Sequence, residues 1–137
     1  MTLSKGSCIL AVDPGKDKTG LAVLMGNGSI AERKVAPSFS VTDDISALAV
    51  KHGAELVIIG SGGPFRQLEK NLAFLNLKAD IIFVNEKGST LEARKLYWRH
   101  NRKKWYLSLI PSTLILPPEP YDDFAAVVIG RRYLKAE

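Results

Sequence analysis

The sequence is poor in the residues that build disulfides and soft metal sites. It has one cysteine, Cys8, and two histidines, His52 and His100. A lone cysteine excludes an internal disulfide, and two isolated histidines make no metal-ligand pattern. Cys8 falls inside an apolar run and reads as a small core residue. No apolar run approaches the ~20 residues of a membrane span, so no membrane partner is expected. Residues 1–6 are too polar and too short for a secretory signal, and a reducing cytoplasm is the expected compartment. Low-complexity tracts, internal repeats and linkers are also missing. The glycine-rich stretch Gly60-Ser61-Gly62-Gly63-Pro64 lacks the spacing and the Gly-Lys-Ser/Thr ending of a phosphate-binding P-loop. It reads as a strand-to-helix connection.

What is present fits a single domain over residues 1–137. Hydrophobic residues make up 46% of the chain and charged residues 24%, ordinary values for a globular protein. The formal net charge is +5, which favours a polyanionic partner. Six Lys or Arg and four aromatics fall between Arg94 and Tyr106. That stretch reads either as a nucleic-acid surface or as a helix end with Trp98 and Trp105 in the core.

Apolar runs and turn residues place the elements. Ile9, Leu10 and Val12 read as a buried strand, and Leu21–Leu24 as its hairpin partner across a glycine-punctuated turn. Gly26-Asn27-Gly28 turns the chain into a third strand over Ser29–Ala36, which Pro37 ends. Thr42 is the expected N-cap of a helix carrying Ile45, Leu48 and Ala49 and stopping near Gly53. Leu56–Ile59 and Ile81–Val84 are continuous apolar runs, expected as strands buried on both faces. Phe65, Leu68, Leu72 and Leu75 lie on one helical face between them. Ser89 and Glu92 match a capping box for a helix carrying Leu91, Lys95 and Trp98. A final helix after Asp122 and Asp123 is expected to pack closely on the sheet through Ala125 and Ala126.

Acids recur at strand ends. Asp13 closes the first strand, Glu86 follows the fifth, and Asp122 and Asp123 open the last helix. Asp-Pro-Gly is an ordinary turn sequence, and acids at a helix start are ordinary capping chemistry. Yet open α/β sheets place ligand sites at the carboxyl ends of their strands. Asp13 and Glu86 converge there if their strands are neighbours, with Asp122 arriving from the helix. Three converging carboxylates repel one another unless a cation intervenes. Hard oxygen donors select Mg²⁺ or Mn²⁺. Two such ions about 4 Å apart support phosphodiester hydrolysis.

Three sets of residues, in order along nearly the whole chain, resemble one family. They are Asp13-Pro14-Gly15 with Gly20 and Ala22; Glu86 with Ser89-Thr90 and Glu92-Ala93; and Asp122 with Ala125-Ala126. Together they resemble the RuvC/YqgF group of the RNase H-like superfamily, described as Holliday junction resolvases and as nucleases maturing precursor ribosomal RNA. The opening is similar to RuvC, and residues 85–93 are more similar to YqgF. Two departures stand out: Lys18-Thr19 precede Gly20 where YqgF-type sequences carry Lys-Arg, and Asn85-Glu86-Lys87 replace Asp-Glu-Arg.

The resemblance implies an α/β, RNase H-like fold: a five-stranded mixed sheet, an antiparallel meander then parallel strands, flanked by helices. It implies a Mg²⁺-dependent nuclease (Mn²⁺ serving as well) acting on branched DNA or structured RNA. Asp13, Glu86 and Asp122 match the metal-binding acids, with Asp123 adjacent as a substitute or assistant. Lys16, Lys18 and Lys87, close to those acids, are candidate phosphate contacts, as are Arg99, Arg102, Lys103 and Lys104 further on. Symmetric cutting of a junction calls for a homodimer. Two other readings stand beside the nuclease: a non-catalytic nucleic-acid-binding domain of the same fold, and an actin-like or sugar-kinase-like phosphotransferase. The last normally needs a duplicated domain that 137 residues do not supply.

Overall fold

A computed structural model describes residues 7–60, 70, 79–84, 93, 96–99, 101 and 122–136. Five strands form one mixed sheet: β1 (Cys8–Asp13), β2 (Lys18–Met25), β3 (Ile30–Pro37), β4 (Leu56–Gly60) and β5 (Asp80–Val84), in the order β3-β2-β1-β4-β5. β1–β2 and β2–β3 pair antiparallel, whereas β1–β4 and β4–β5 pair parallel. The expected meander and parallel strands are both present. β1 and β5 are not neighbours, however. β4 lies between them.

Each turn has a local cause. At the β2–β3 turn Gly28 takes φ 90°, a left-handed value that glycine adopts without strain. Asn27 Oδ1 accepts hydrogen bonds from the Ser29 N–H at 2.9 Å and the Ser29 hydroxyl at 2.7 Å. A short 3₁₀ turn, Ser38–Ser40, leads directly into helix α1 (Val41–His52). The expected Thr42 cap is therefore displaced. Ser40 is the N-cap residue, and it makes no side-chain capping bond. The 3₁₀ turn satisfies the entering backbone instead, with the Val41 N–H donating to the Ser38 carbonyl. The helix stops where the pattern indicates: Gly53 is left-handed at φ 63°, and the Ala54 N–H reaches back to Ala49 O at 3.0 Å.

The strands alternate their side chains between two cores. Leu10, Val12, Leu21, Val23, Val57 and Ile59 face α1 through Ile45 and Leu48. Ile9, Ala11, Ala22, Leu24 and Ile58 face helix α2 (Asp122–Ala136) through Ala126 and Ile129. Small residues let α2 come close. A Cβ on Gly130 would lie 2.5 Å from Leu24 Cδ1 and 3.1 Å from Ala11 Cβ. Ala125 and Ala126 are buried as expected. Ala93 and residues 96–99 are helical, and Ala93, Leu96 and Tyr97, all buried, share this core with half-buried Trp98.

β5 departs from its expected full burial. Its residues are half-buried or exposed, and Phe83 is 38% exposed. Among the described residues β5 pairs with β4 alone, so one of its sides lacks the cover that a central strand has. The helix expected after Pro64 lies largely outside the described residues, as do the Ser89–Glu92 capping box, Trp105 and Leu91. Among the described residues no helix is long and apolar enough to cross a membrane.

Candidate functional site

Asp13 ends β1 on the face that α2 covers. Ile9 and Ala11, at alternate positions before it, belong to the α2 core, and side chains two residues apart share a face. Its partner on β2 is Gly20, which pairs onward with Val35 on β3. On the other side Val12 pairs with Ile59, so Gly60 is the next position along β4, and Gly60 pairs with Val84. A half-buried carboxylate thus stands in a row between two glycines, neither of which places a side chain beside it.

The loop after Asp13 is tightly held. Pro14 is buried. Any side chain at Gly15 would collide with the Lys18 carbonyl oxygen, so glycine is required there for space. From the end of β3, Ser38 grips this loop. Its N–H donates to Asp17 O at 2.9 Å, and its hydroxyl donates to Gly15 O at 2.7 Å. The Thr19 hydroxyl, almost fully buried, lies 2.9 Å from the Ser38 hydroxyl. These bonds hold the backbone on either side of Lys16. Lys16 and Lys18 themselves are exposed.

Helix α2 packs across β1 and β2. Near its far end Arg131 Nε donates to Gly28 O in the β2–β3 turn at 3.0 Å, which lies at the opposite end of the sheet from Asp13. The helix therefore starts at the Asp13 end. Asp122 is its first residue.

Asp123 is engaged elsewhere. Arg33 Nη1 on β3 lies 3.2 Å from its Oδ2, and its Oδ1 accepts the Phe124 N–H at 3.0 Å. The Arg33 guanidinium also lies 4.2 Å over the Phe124 ring, and Phe124 meets Tyr97 edge-on.

Glu86, Lys87, Arg102, Lys103 and Lys104 lie outside the described residues. Arg99 is exposed on the 96–99 helical segment. Among the described residues no three His, Cys, Asp or Glu stand close enough together to hold a metal ion. Cys8 is at the opposite end of β1 from Asp13, where its thiol donates to His52 O at 3.1 Å. Burial, reinforced by the Glu55 charge, pushes this thiol above its ordinary pKa, so it stays protonated and unreactive. His52 Nε2 lies 2.8 Å from Glu32 Oε1, and Lys51 Nζ donates to the same oxygen at 2.9 Å. Ser38, Thr19 and Arg33 carry no local pattern that marks them in the sequence. Their partners are distant in sequence.

No family model and no curated protein matches the sequence. Solved structures do match. RuvC of T. thermophilus in complex with a Holliday junction substrate is similar over 95% of this chain and 94% of its own, with a TM-score of 0.59 and 14% identity. Fowlpox virus resolvase, solved with Holliday junction DNA, covers 94% and 97% with a TM-score of 0.59 and 12% identity. The chain has the RNase H-like fold. The large terminase nuclease of thermophilic phage G20c, solved with bound zinc, has a TM-score of 0.59 at 15% identity, over 92% of this chain and 80% of its own. At these identities the likeness establishes the RNase H-like architecture, which the sequence motifs anticipate.

Proposed function

We propose that this chain is a divalent-metal-dependent endonuclease that hydrolyses phosphodiester bonds in branched DNA. The observation that carries the reading is Asp13, a half-buried carboxylate at the end of the central strand, at the sheet end where α2 begins. Open α/β sheets place their ligand sites at the carboxyl ends of such strands. The structural likeness to two resolvases solved with junction DNA supports the substrate class.

Asp13, Glu86 and Asp122 would hold the metal, Mg²⁺ or Mn²⁺. The donor chemistry fits: these are hard oxygen ligands, and the described cysteine and histidine lie at the other end of β1. Bound there, divalent cations would activate a water and stabilise the leaving oxygen. The Arg33 ion pair with Asp123 supports Asp122 as the third ligand and a structural task for Asp123. Strands are spaced about 4.8 Å apart, so β1 and β5 stand about 10 Å apart across β4. A metal pair about 4 Å wide would fit within that span. Lys16 and Lys18 would meet the phosphates flanking the cut, and Lys87, Arg99 and residues 102–104 the arms beyond it. A homodimer would present two such centres for paired incisions.

The test is cleavage of a labelled panel: four-way DNA junction, duplex DNA, single-stranded RNA and precursor ribosomal RNA. Each is run with Mg²⁺, Mn²⁺ or EDTA. Junction cutting that needs metal and disappears in Asp13→Asn is the expected result. Preferential cutting of the precursor RNA would transfer the substrate to RNA, in line with the YqgF-like segment 85–93. Binding without cutting under every metal would replace the enzyme with a nucleic-acid-binding domain.

A further inference from the structure

Phe39 is 92% exposed, a degree of exposure that a large apolar ring seldom has. It follows Ser38, which is hydrogen-bonded to both residues flanking Lys16. It also lies two residues past Pro37, the β-partner of Lys18. The turn that carries it is fixed on both sides, since the Ser40 hydroxyl donates to Pro37 O at 3.2 Å. The ring therefore projects from a pinned backbone beside two exposed lysines, at the sheet edge that ends in Asp13. Val50 is also largely exposed, but it lies on the outer face of α1, away from that edge, and needs no further explanation.

We infer that Phe39 is a base-stacking contact: its ring takes an unpaired base of the bound strand while Lys16 and Lys18 hold that strand's phosphates. This rests on the nucleic-acid reading above and names a contact within it. Charge alone does not make the surface, because exposed Asp17 separates the two lysines and exposed Asp43 opens α1 nearby. Stacking is largely independent of local charge, and an aromatic face accepts any base. Val35, in the Asp13 row, lies two strands from β1, about 10 Å away, and Phe39 is four residues further on. That separation amounts to a few nucleotides at the duplex rise of about 3.4 Å. The stacked base would then be near the cut without being at it, where unpaired nucleotides at a branch point can reach the ring.

The experiment uses the full chain carrying Asp13→Asn, so that no strand is cut. 2-Aminopurine is walked along one arm of a four-way junction and along a single strand. Stacking on Phe39 predicts quenching confined to one or two neighbouring positions, and its loss in Phe39→Ala. Affinity should fall by roughly 5- to 150-fold in Phe39→Ala and be retained in Phe39→Trp. The slope of log affinity against log salt should stay the same in Phe39→Ala and become shallower in Lys16→Gln/Lys18→Gln. Affinity of Phe39→Ala within twofold of its parent, with quenching unchanged, overturns the inference and leaves the nuclease reading standing. A parent that binds none of the nucleic acids overturns both.

Discussion

Arg33 reaches from β3 to the first turn of α2, where its Nη1 meets Asp123 Oδ2 at 3.2 Å and its guanidinium covers the Phe124 ring. The pair ties the outer strand of the meander to the start of α2. The Asp123 side chain is only 13% exposed and that of Arg33 34%, so the bond is less screened than a surface pair. Arg33→Met and Asp123→Asn should each lower stability by about 1 kcal/mol. The double variant should lose less than the sum, as a double-mutant cycle by urea unfolding would show.

Adjacent acids should separate cleanly. Asp122→Asn should reduce cleavage at least a hundredfold with little change in melting temperature. Asp123→Asn should keep most of the cleavage and lose stability instead. Rates and melting curves on the same preparations check both halves. The reverse pattern would make Asp123 the ligand.

Gly130 sets how closely α2 approaches the sheet. Gly130→Val should destabilise by about 2–3 kcal/mol, because the new methyl groups press on Leu24 and Ala11. Gly130→Ala should lose less, since alanine's helix propensity offsets up to about 1 kcal/mol of the crowding. Denaturant midpoints distinguish the two.

Glu32 links β3 to the end of α1. Hydrogen bonds from His52 and then Lys51 hold its carboxyl below the ordinary carboxylate value. A group with a lowered folded-state pKa contributes stability above its unfolded value, near pH 4.3, and loses it as pH falls through the folded value. Melting temperature should therefore decline more steeply below pH 4.3 in the wild type than in Glu32→Gln. At neutral pH the wild type should be the more stable.

Ser38 holds the loop that follows Asp13 through both its backbone and its hydroxyl. Ser38→Ala removes the bond to Gly15 O and leaves the Thr19 hydroxyl short of a partner. A loss of about 1–2 kcal/mol is expected. Single-turnover cleavage should slow by more than that stability change explains, because the loop carrying Lys16 is then held only through Asp17 O.

Much of this architecture is local and therefore legible. Glycine and proline punctuate the meander, Gly53 stops α1, and Ala125-Ala126 announce the close helix. Asp13 stands out because its Asp-Pro-Gly context ends an apolar strand. The start of α1 is not legible: a 3₁₀ turn supplied what the Thr42 cap was expected to supply, and Ser-Phe-Ser has no strong signature. Strand order is not local either. The apolar runs of β4 and β5 look alike in sequence, yet β4 lies beside β1 and is fully buried while β5 lies beyond it and is half-buried. Ser38 and Arg33 act through partners brought together only by the finished sheet.

In the proposed nuclease, the order of the chain would give the site a built-in delay. Asp13 belongs to the first strand and Asp122 to the last described helix, so more than a hundred residues must be synthesised between one and the other. The seam formed by Ala11, Leu24, Ala126 and Gly130 must then close to bring them to one end of the sheet. Contacts so distant in sequence form late in folding. A partly made chain would carry exposed lysines able to attract nucleic acid, yet no means of cutting it. Competence would arrive with the docking of α2 on the sheet.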